Sequence, residues 1–307
     1  MDGRVPPQHG IEKFLWPSSH GNSVKGSIVL AKNQLLQPFV KWAGGKRQLL
    51  EPIKRHIPKN ANVYFEPFLG GGAILFGIQP QRAIVNDINA QLVATYEVVR
   101  DYVDELIEDL SVHKNEKNYF YALRAVDRQL EYQDWSPVQK ASRLIFLNRT
   151  CFNGLFRVNS QGHFNVPFGS YKNPNIVNEV VLRAVSQYLR TNDIHFLSGD
   201  FSAAVSQAKK GDFVYFDPPY DPVSDTAFFT NYSLHGFGRE EQVRLKTVVD
   251  DLTKRGCKVL LSNSSTAFIR DLYRDYEIVT VQAKRAINSD VDGRGTVDEV
   301  LVMNYDQ

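Results

Sequence analysis

"GDFVYFDPPYDP", residues 211–222, joins a strand signal to an unusual ending. Phe213 to Phe216 form a short, wholly apolar run, the pattern of a strand buried on both faces. The run stops at a carboxylate, Asp217, followed by two prolines and the ring of Tyr220. A plain turn would take Gly or Asn here and has no use for an aromatic ring. Similar apolar runs recur: "VYFEP" (63–67), "AIVND" (83–87), "IHFLSGD" (194–200), "KVLLSN" (258–263), "YEIVTVQAKR" (276–285) and "EVLVMNY" (299–305). Helical patterns sit between several of them, for example over 240–255. Buried strands alternating with helices predict an α/β fold with a mostly parallel sheet covered on both faces.

"GGKRQLLEPIKRHI" (44–57) sets Leu49, Leu50, Ile53 and Ile57 against Arg47, Glu51, Lys54 and Arg55, an amphipathic helix. The interval from 88 to 190 breaks the rhythm. It holds helical segments (91–110, 117–132, 137–148) and then a Gly/Asn/Pro-rich, aromatic and basic stretch, "RTCFNGLFRVNSQGHFNVPFGSYKNPN". The expected organisation is a flexible extension over 1–35, a sheet domain over 36–90 and 190–307, and an inserted domain over 91–189.

The chain of 307 residues is 43% hydrophobic and 23% charged, with a formal net charge of +2, so no global charge demands a nucleic-acid partner. Locally, residues 141–190 carry Arg143, Arg149, Arg157, Lys172, Arg183 and Arg190 against one acid, Glu179, which suggests a polyanion-facing patch. Cys151 and Cys257 are far apart and form no CxxC, so neither a disulfide framework nor a zinc site is supported. No apolar run approaches membrane-spanning length and no signal-peptide core opens the chain, so the expectation is a cytoplasmic protein.

In open α/β sheets ligands bind outside the carboxyl ends of the strands. Four runs end near acids, Glu66, Asp87, Asp200 and Asp217, and Gly70, Gly71 and Gly72 follow the first, which describes one pocket. A dinucleotide fingerprint starting at Gly70 would need glycine where Leu75 stands. A phosphate loop ending at Gly45 and Lys46 fails at Val40 and Arg47. No HExxH or clustered His/Cys supplies a metal site, so none is expected. A tight glycine turn beside several acids suits a ligand with cationic groups and a ribose, such as S-adenosylmethionine, with Asp87 placed for the ribose hydroxyls.

Five segments carry a family resemblance: "FVKWAGGKRQLL" (39–50), "YFEPFLGGGAILF" (64–76), "IVNDIN" (84–89), "NRTCFNGLFRVNSQGHFNVPFGSYKNP" (148–174) and "DPPY" (217–220). In this order they resemble the Dam-type DNA adenine-N6 methyltransferases, including the restriction-associated DpnII-type members, from about Leu36 to the C-terminus. DPPY alone is moderately specific; the ordered set is highly so. The resemblance implies a Rossmann-like S-adenosylmethionine-dependent methyltransferase sheet with an inserted, mainly helical target-recognition domain. It also implies methyl transfer to adenine N6 within GATC in double-stranded DNA, with S-adenosylhomocysteine as product. Trp42 and Lys46 would border the methyl donor, and Glu66, Phe68, Gly70 and Gly72 would cradle its methionine part. Asp87 would hold its ribose, Asp200 and Phe201 would belong to the same pocket, and Asp217 would lie between donor and base. The family often has Asp where this chain has Glu66. Restriction-associated members imply a cognate endonuclease acting on the same DNA.

Adenine's exocyclic amine is a poor nucleophile because its lone pair is delocalised into the ring. The Asp217 carboxylate can accept one N–H and the rigid Pro218 carbonyl the other, and both interactions strengthen as charge develops on nitrogen. A base inside a duplex must be flipped out to reach such a site, and Tyr220 offers a stacking face worth roughly 1–3 kcal/mol. By resemblance Leu155, Arg157 and Pro167 read the bases, Phe152 is a wedge, Asn153 a nearby polar contact and Lys41 a guanine contact. Ser170 stands where relatives often carry Arg, so a phosphate contact is missing or falls to Lys172. "KRAINSDVDGRG" (284–295) reads as a hairpin loop bringing Lys284, Arg285 and Arg294 towards phosphates. Two other readings stay open: methylation of RNA or another amino group, and a catalytically silent DNA-binding module.

Overall fold

Runs of Val, Ile, Phe and Tyr with no polar face are satisfied only inside a sheet covered on both sides. The computed structural model describes residues 33–42, 46, 49–223, 237–284 and 296–306, and a strand stands at every one of the expected runs. They are β1 (Tyr64–Glu66), β2 (Arg82–Asp87), β3 (Asp193–Ser198), β4 (Phe213–Phe216), β5 (Lys258–Ser264), β6 (Glu277–Lys284) and β7 (Thr296–Met303). They form one sheet in the order β3-β2-β1-β4-β5-β7-β6. The first five in that order are parallel, and β7 inserts antiparallel between β5 and β6. The chain order reverses between β1 and β4, the switch point at which such sheets open a crevice. The expected extension lies outside the described residues up to 32, as do residues 285–295 of the expected hairpin loop.

The helices are α1 (Leu50–His56), α2 (Ala73–Ile78), α3 (Ala90–Asp101), α4 (Val103–Ser111), α5 (Lys117–Ala125), α6 (Pro137–Thr150), α7 (Glu179–Thr191), α8 (Phe201–Ala204), α9 (Arg239–Lys254) and α10 (Ala267–Leu272). The pattern over 91–110 is two helices, broken at Tyr102, whose φ of −133° and ψ of 43° leave the helical region. The pattern over 117–132 leaves the α-helix after Ala125 and continues as 3-10 turns, Val126–Arg128 and Leu130–Asp134. Helix α6 starts where its sequence says it should. Ser136 and Gln139 form a reciprocal capping box and Pro137 follows at the first helical position.

Period-two alternation sorts the sheet's side chains into two layers. Tyr64, Phe213, Tyr215, Leu260, Leu301 and Met303 pack on one face with residues of α1, α2, α3 and α7. Phe65, Val214, Phe216, Leu261, Val300 and Val302 pack on the other with residues of α9 and α10. The same alternation carries Glu66, Asp217, Ser262 and Glu299 to the first face. Helices α3 and α7, although mostly within 91–189, share the sheet's core, because a parallel crossover must cover the strands it joins. A separate apolar cluster of Phe120, Leu123, Phe146, Leu147, Cys151, Phe164 and Val166 gives the chain between 120 and 166 a core of its own.

Candidate active site and DNA-facing surface

Strands β3, β2, β1 and β4 lie side by side, so Asp200, Asp87, Glu66 and Asp217 follow one another along one sheet edge. Backbone amides tie the glycine turn to this edge. Asp87 accepts from Gly70 N at 2.8 Å and from Asn89 N at 2.9 Å, Asn86 O accepts from Leu69 N, and the Tyr96 hydroxyl donates to Gly70 O at 3.0 Å. Gly70 and Gly72 hold φ of 50° and 72°, which L side chains rarely adopt. A Cβ on Gly72 would stand 2.7 Å from Tyr96 Oη and 2.9 Å from Phe76 Cε2, and one on Gly70 would stand 3.0 Å from Trp42 Cδ1. Gly72→Ala is expected to destabilise the protein by about 1–2 kcal/mol of left-handed strain, with roughly 1–3 kcal/mol more from crowding. Urea unfolding measures it, and an unchanged midpoint would contradict this account of the turn.

Glu66 is 2% exposed and accepts from the Tyr64 hydroxyl at 2.8 Å. Burial pushes its carboxyl well above the usual range, against the bond from Tyr64, and the neighbouring Asp217 charge adds to the rise. At Asp217 both hydrogen bonds among the described residues fall on one oxygen. Lys46 Nζ lies 3.0 Å and Ser262 Oγ 2.8 Å from Oδ1. With that Ser262 proton committed, the Tyr215 hydroxyl, 3.0 Å away, is the donor to Ser262 Oγ. Burial raises the Asp217 pKa; the Lys46 charge and the two donors pull it back. Oδ2 and the Pro218 carbonyl accept nothing among the described residues.

Tyr220 is held from two sides. Lys46 Nζ sits 4.0 Å from its ring centroid, and its hydroxyl donates to Glu299 Oε2 at 2.8 Å. The rest of the loop is pinned from β5 and α9: Gln242 donates to Pro219 O at 2.8 Å, Asn263 accepts from Asp221 N at 3.0 Å, and Asp221 pairs with Arg239 at 3.1 Å. Asp200 is differently placed. It caps α8 through Ser202 and pairs with Arg244 at 2.6 Å, which draws its carboxyl down to about 2. Phe201 is buried beneath it and stacks on Phe68 with ring centroids 5.3 Å apart.

The recognition candidates gather on a second surface. Asn148, fully buried on α6, accepts from Lys41 N at 2.7 Å and donates to Lys41 O at 2.7 Å and to Gly154 O at 3.0 Å. It thereby staples Lys41 to the 3-10 turn Phe152–Gly154. That turn exposes Phe152 and Asn153, the latter at a φ of 54°. Phe152 N donates to Pro167 O at 2.8 Å, and Arg157 Nε to Asn165 Oδ1 at 2.7 Å. Leu155 is half-buried, whereas Arg157 and Pro167 are exposed. Trp42 stacks on Phe156, ring centroids 5.1 Å apart, and so joins this surface to the glycine turn.

The basic patch expected from 141–190 is smaller than its count. Arg143 is 3% exposed and paired with Asp127 at 2.9 Å, Arg149 donates to Phe39 O, and Arg183 pairs with Asp104 and Glu179. Counting charges along the chain could not tell cations already paired within the protein, buried as Arg143 or exposed as Arg183, from those left for a partner.

Comparison with known proteins decides the class. Residues 42–287 match the family described as D12 class N6 adenine-specific DNA methyltransferase. The chain belongs to that family. It is 45% identical over 280 residues to the Type II methyltransferase M1.LlaDCHI of Lactococcus lactis subsp. cremoris, covering 90% of this chain and 99% of the relative. It is 42% identical over 290 residues to the Type II methyltransferase M.MjaIII of Methanocaldococcus jannaschii, covering 88% and 99%. It is 36% identical over 269 residues to the DNA adenine methylase of Escherichia coli K12, covering 86% and 94%.

A D12-class methyltransferase is an adenine-specific DNA-modifying enzyme, its seven-stranded sheet is the methyltransferase sheet, and the family implies S-adenosylmethionine as donor. This edge fits that molecule. The glycines let the turn's backbone pack closely against Trp42, Tyr96 and Phe76, and each Asp87 oxygen keeps a lone pair beyond its single amide partner. Ile88, 83% exposed directly after Asp87, is an apolar side chain at this edge that sequence reading passed over. Asn148, Ser262 and Glu299 were also missed. Each lies in an ordinary-looking helix or strand, and only tertiary contact gives it a role. Among the described residues no group of three or more His, Cys, Asp or Glu could hold a metal, and no helix is long and apolar enough to cross a membrane.

Proposed function

We propose that this enzyme methylates adenine N6 within GATC in duplex DNA, on a base flipped out of the helix. One observation carries the reading: Asp217 Oδ1 is fixed by Lys46 and Ser262, while Oδ2 and the adjoining Pro218 carbonyl keep free acceptor capacity among the described residues. An exocyclic amine has two N–H bonds to place on two such acceptors. S-adenosylmethionine, when bound, supplies an electrophilic methyl group on a sulfonium that departs with the bonding pair. Asp217 Oδ2 and Pro218 O localise the N6 lone pair and grow stronger as that nitrogen gains positive charge. Asp217 then takes the N6 proton. Proline keeps its carbonyl aimed, and Tyr220 gives the flipped base a stacking face. Trp42, Lys46, the 66–72 turn, Asp87 and Ile88 border the donor, and Phe68 and Phe201 close the pocket floor on the Asp200 side.

The Phe152–Pro167 segment is the target-recognition surface in this reading. Arg157, its Nε committed to Asn165, keeps two Nη edges for guanine O6 and N7. Leu155 and Pro167 supply apolar contacts to the thymine methyl, Lys41 and Asn153 add polar ones, and exposed Phe152 fills the space the adenine leaves. The Type II names of two relatives support a restriction-associated role, with a cognate endonuclease reading the same site.

The test is transfer of labelled methyl groups to matched duplexes with one GATC or a scrambled site. Label confined to the GATC duplex supports the reading, label on both sinks the specificity, and label only on an RNA counterpart moves the substrate class. Arg157→Ala is expected to lose about 1–3 kcal/mol of discrimination at one guanine, roughly ten- to a hundredfold in kcat/KM between cognate and substituted sites.

A further inference from the structure

Glu299 is a carboxylate on β7 that the chemistry above does not use, yet it faces the reaction site. Its position follows from alternation: Glu299, Leu301 and Met303 share the sheet face of Tyr215 and Leu260. It pairs across the ladder with Ser264, whose hydroxyl donates to the Asp221 carbonyl in the loop after DPPY. Burial raises the Glu299 carboxyl, while the Lys46 charge and the Tyr220 hydroxyl bond oppose the rise. Lys46 is bonded to Asp217 at 3.0 Å and placed 4.0 Å over the Tyr220 ring that Glu299 grips by its hydroxyl.

A tyrosine ring has two faces and a polar tip. Here Lys46 lies over one face and Glu299 Oε2 holds the tip, and among the described residues no ring or cation lies over the other face, which a base would take. A ring fixed at only one end can swing about χ1 and χ2 and would stack on a flipped base in many orientations. Fixing the tip removes that freedom before the base arrives, and alignment of the reacting amine depends on such preorganisation.

We propose that Glu299 is a positioning residue for the flipped adenine, setting the Tyr220 ring plane through the hydroxyl bond. The inference rests on the stacking role given to Tyr220 above. Glu299→Ala lowers kcat roughly ten- to a hundredfold, as small misplacements of a reacting group do, and leaves the KM for S-adenosylmethionine near its original value. Glu299→Gln keeps an acceptor for the hydroxyl and restores most of the loss. Tyr220→Phe, which deletes only the hydroxyl, reproduces the defect, and the double variant Tyr220→Phe with Glu299→Ala is no worse than either single one.

The deciding readout is the fluorescence of duplex DNA carrying 2-aminopurine at the target adenine, a base whose emission reports stacking. Tyr220→Ala defines the signal of a flipped base without its ring, and Glu299→Ala is expected to move the emission towards it while Glu299→Gln does not. If Tyr220→Ala shifts the emission and both Glu299→Ala and Tyr220→Phe leave emission and kcat unaltered, the role of Glu299 is overturned and the stacking role stands. If Tyr220→Ala itself changes neither emission nor kcat, the stacking reading fails and takes this inference with it. Equal losses in Glu299→Ala and Glu299→Gln, without a shift in emission, would overturn it as well, since charge and not ring placement would then be what matters.

Discussion

Asp217→Asn is expected to lower methyl transfer by about three orders of magnitude while the protein stays folded. Removing one preorganised partner of a developing charge costs about 10²–10³-fold in kcat, and loss of the proton acceptor adds to that. The substitution keeps the side chain's size and removes its charge. It also turns an amide towards Lys46 or towards the base, so one donor faces another in either orientation. Single-turnover transfer to a GATC duplex measures the effect, and far-UV circular dichroism checks the fold. A loss under tenfold would remove Asp217 from the chemistry. The pH dependence has a definite sign. Burial raises the Asp217 pKa, and the carboxylate must be ionised to accept the amine, so activity is lost on acidification at a pH above the ordinary carboxylate range. Ser262→Ala removes a donor to the ionised form and moves that acidic limb further up.

Arg143→Ala is expected to destabilise the enzyme by about 3–5 kcal/mol, the usual consequence of removing one member of a buried ion pair. Arg143 donates to Leu123 O at 2.9 Å, to Arg124 O at 2.7 Å and to Asp127 at 2.9 Å. Without it two carbonyls lose a partner, and a carboxylate only 8% exposed keeps Arg128 and the Phe164 amide alone. That amide belongs to the segment leading to Pro167, and Arg124 and Arg128 donate to Val166 O and Phe164 O nearby. The cost therefore falls on the proposed recognition surface. Urea unfolding should show the loss, hydrogen exchange should place it within 120–168, and the KM for DNA should rise more than that for the donor. Arg143→Lys should rescue little, since one ammonium cannot replace a planar fork spanning three acceptors. A variant as stable as the parent would show the pair to be dispensable.

Much of this was legible in the sequence because strand burial and strand endings are local properties. Apolar runs such as Phe213–Phe216 are too short and too uniformly apolar for an exposed element, and each proved a strand. Acids after four of them marked one sheet edge, where the donor pocket is proposed, since parallel strands necessarily point their carboxyl ends the same way. Family motifs added which amine and which base. Less was legible where several elements share a role. Helix α7 has a clear amphipathic pattern, Val181, Leu182, Val185 and Leu189 being buried, yet it merged with the basic stretch before it. Asp200 looked like the other strand-end acids and turned out to be bonded to Arg244 from α9, forty-four residues on.

What the sequence determined by itself was the alternation of strand and helix, the glycine turn and the rigid DPPY corner, all set by steric rules acting within a few residues. What only the tertiary structure decided was partnership. Which arginines face outward, which oxygen of Asp217 stays open, and that Asn148, Ser262 and Glu299 stand beside the site depend on elements far apart in the chain. Those contacts are fixed by sheet order and register, and no local pattern encodes the distance between two strands that pair only after the chain has folded.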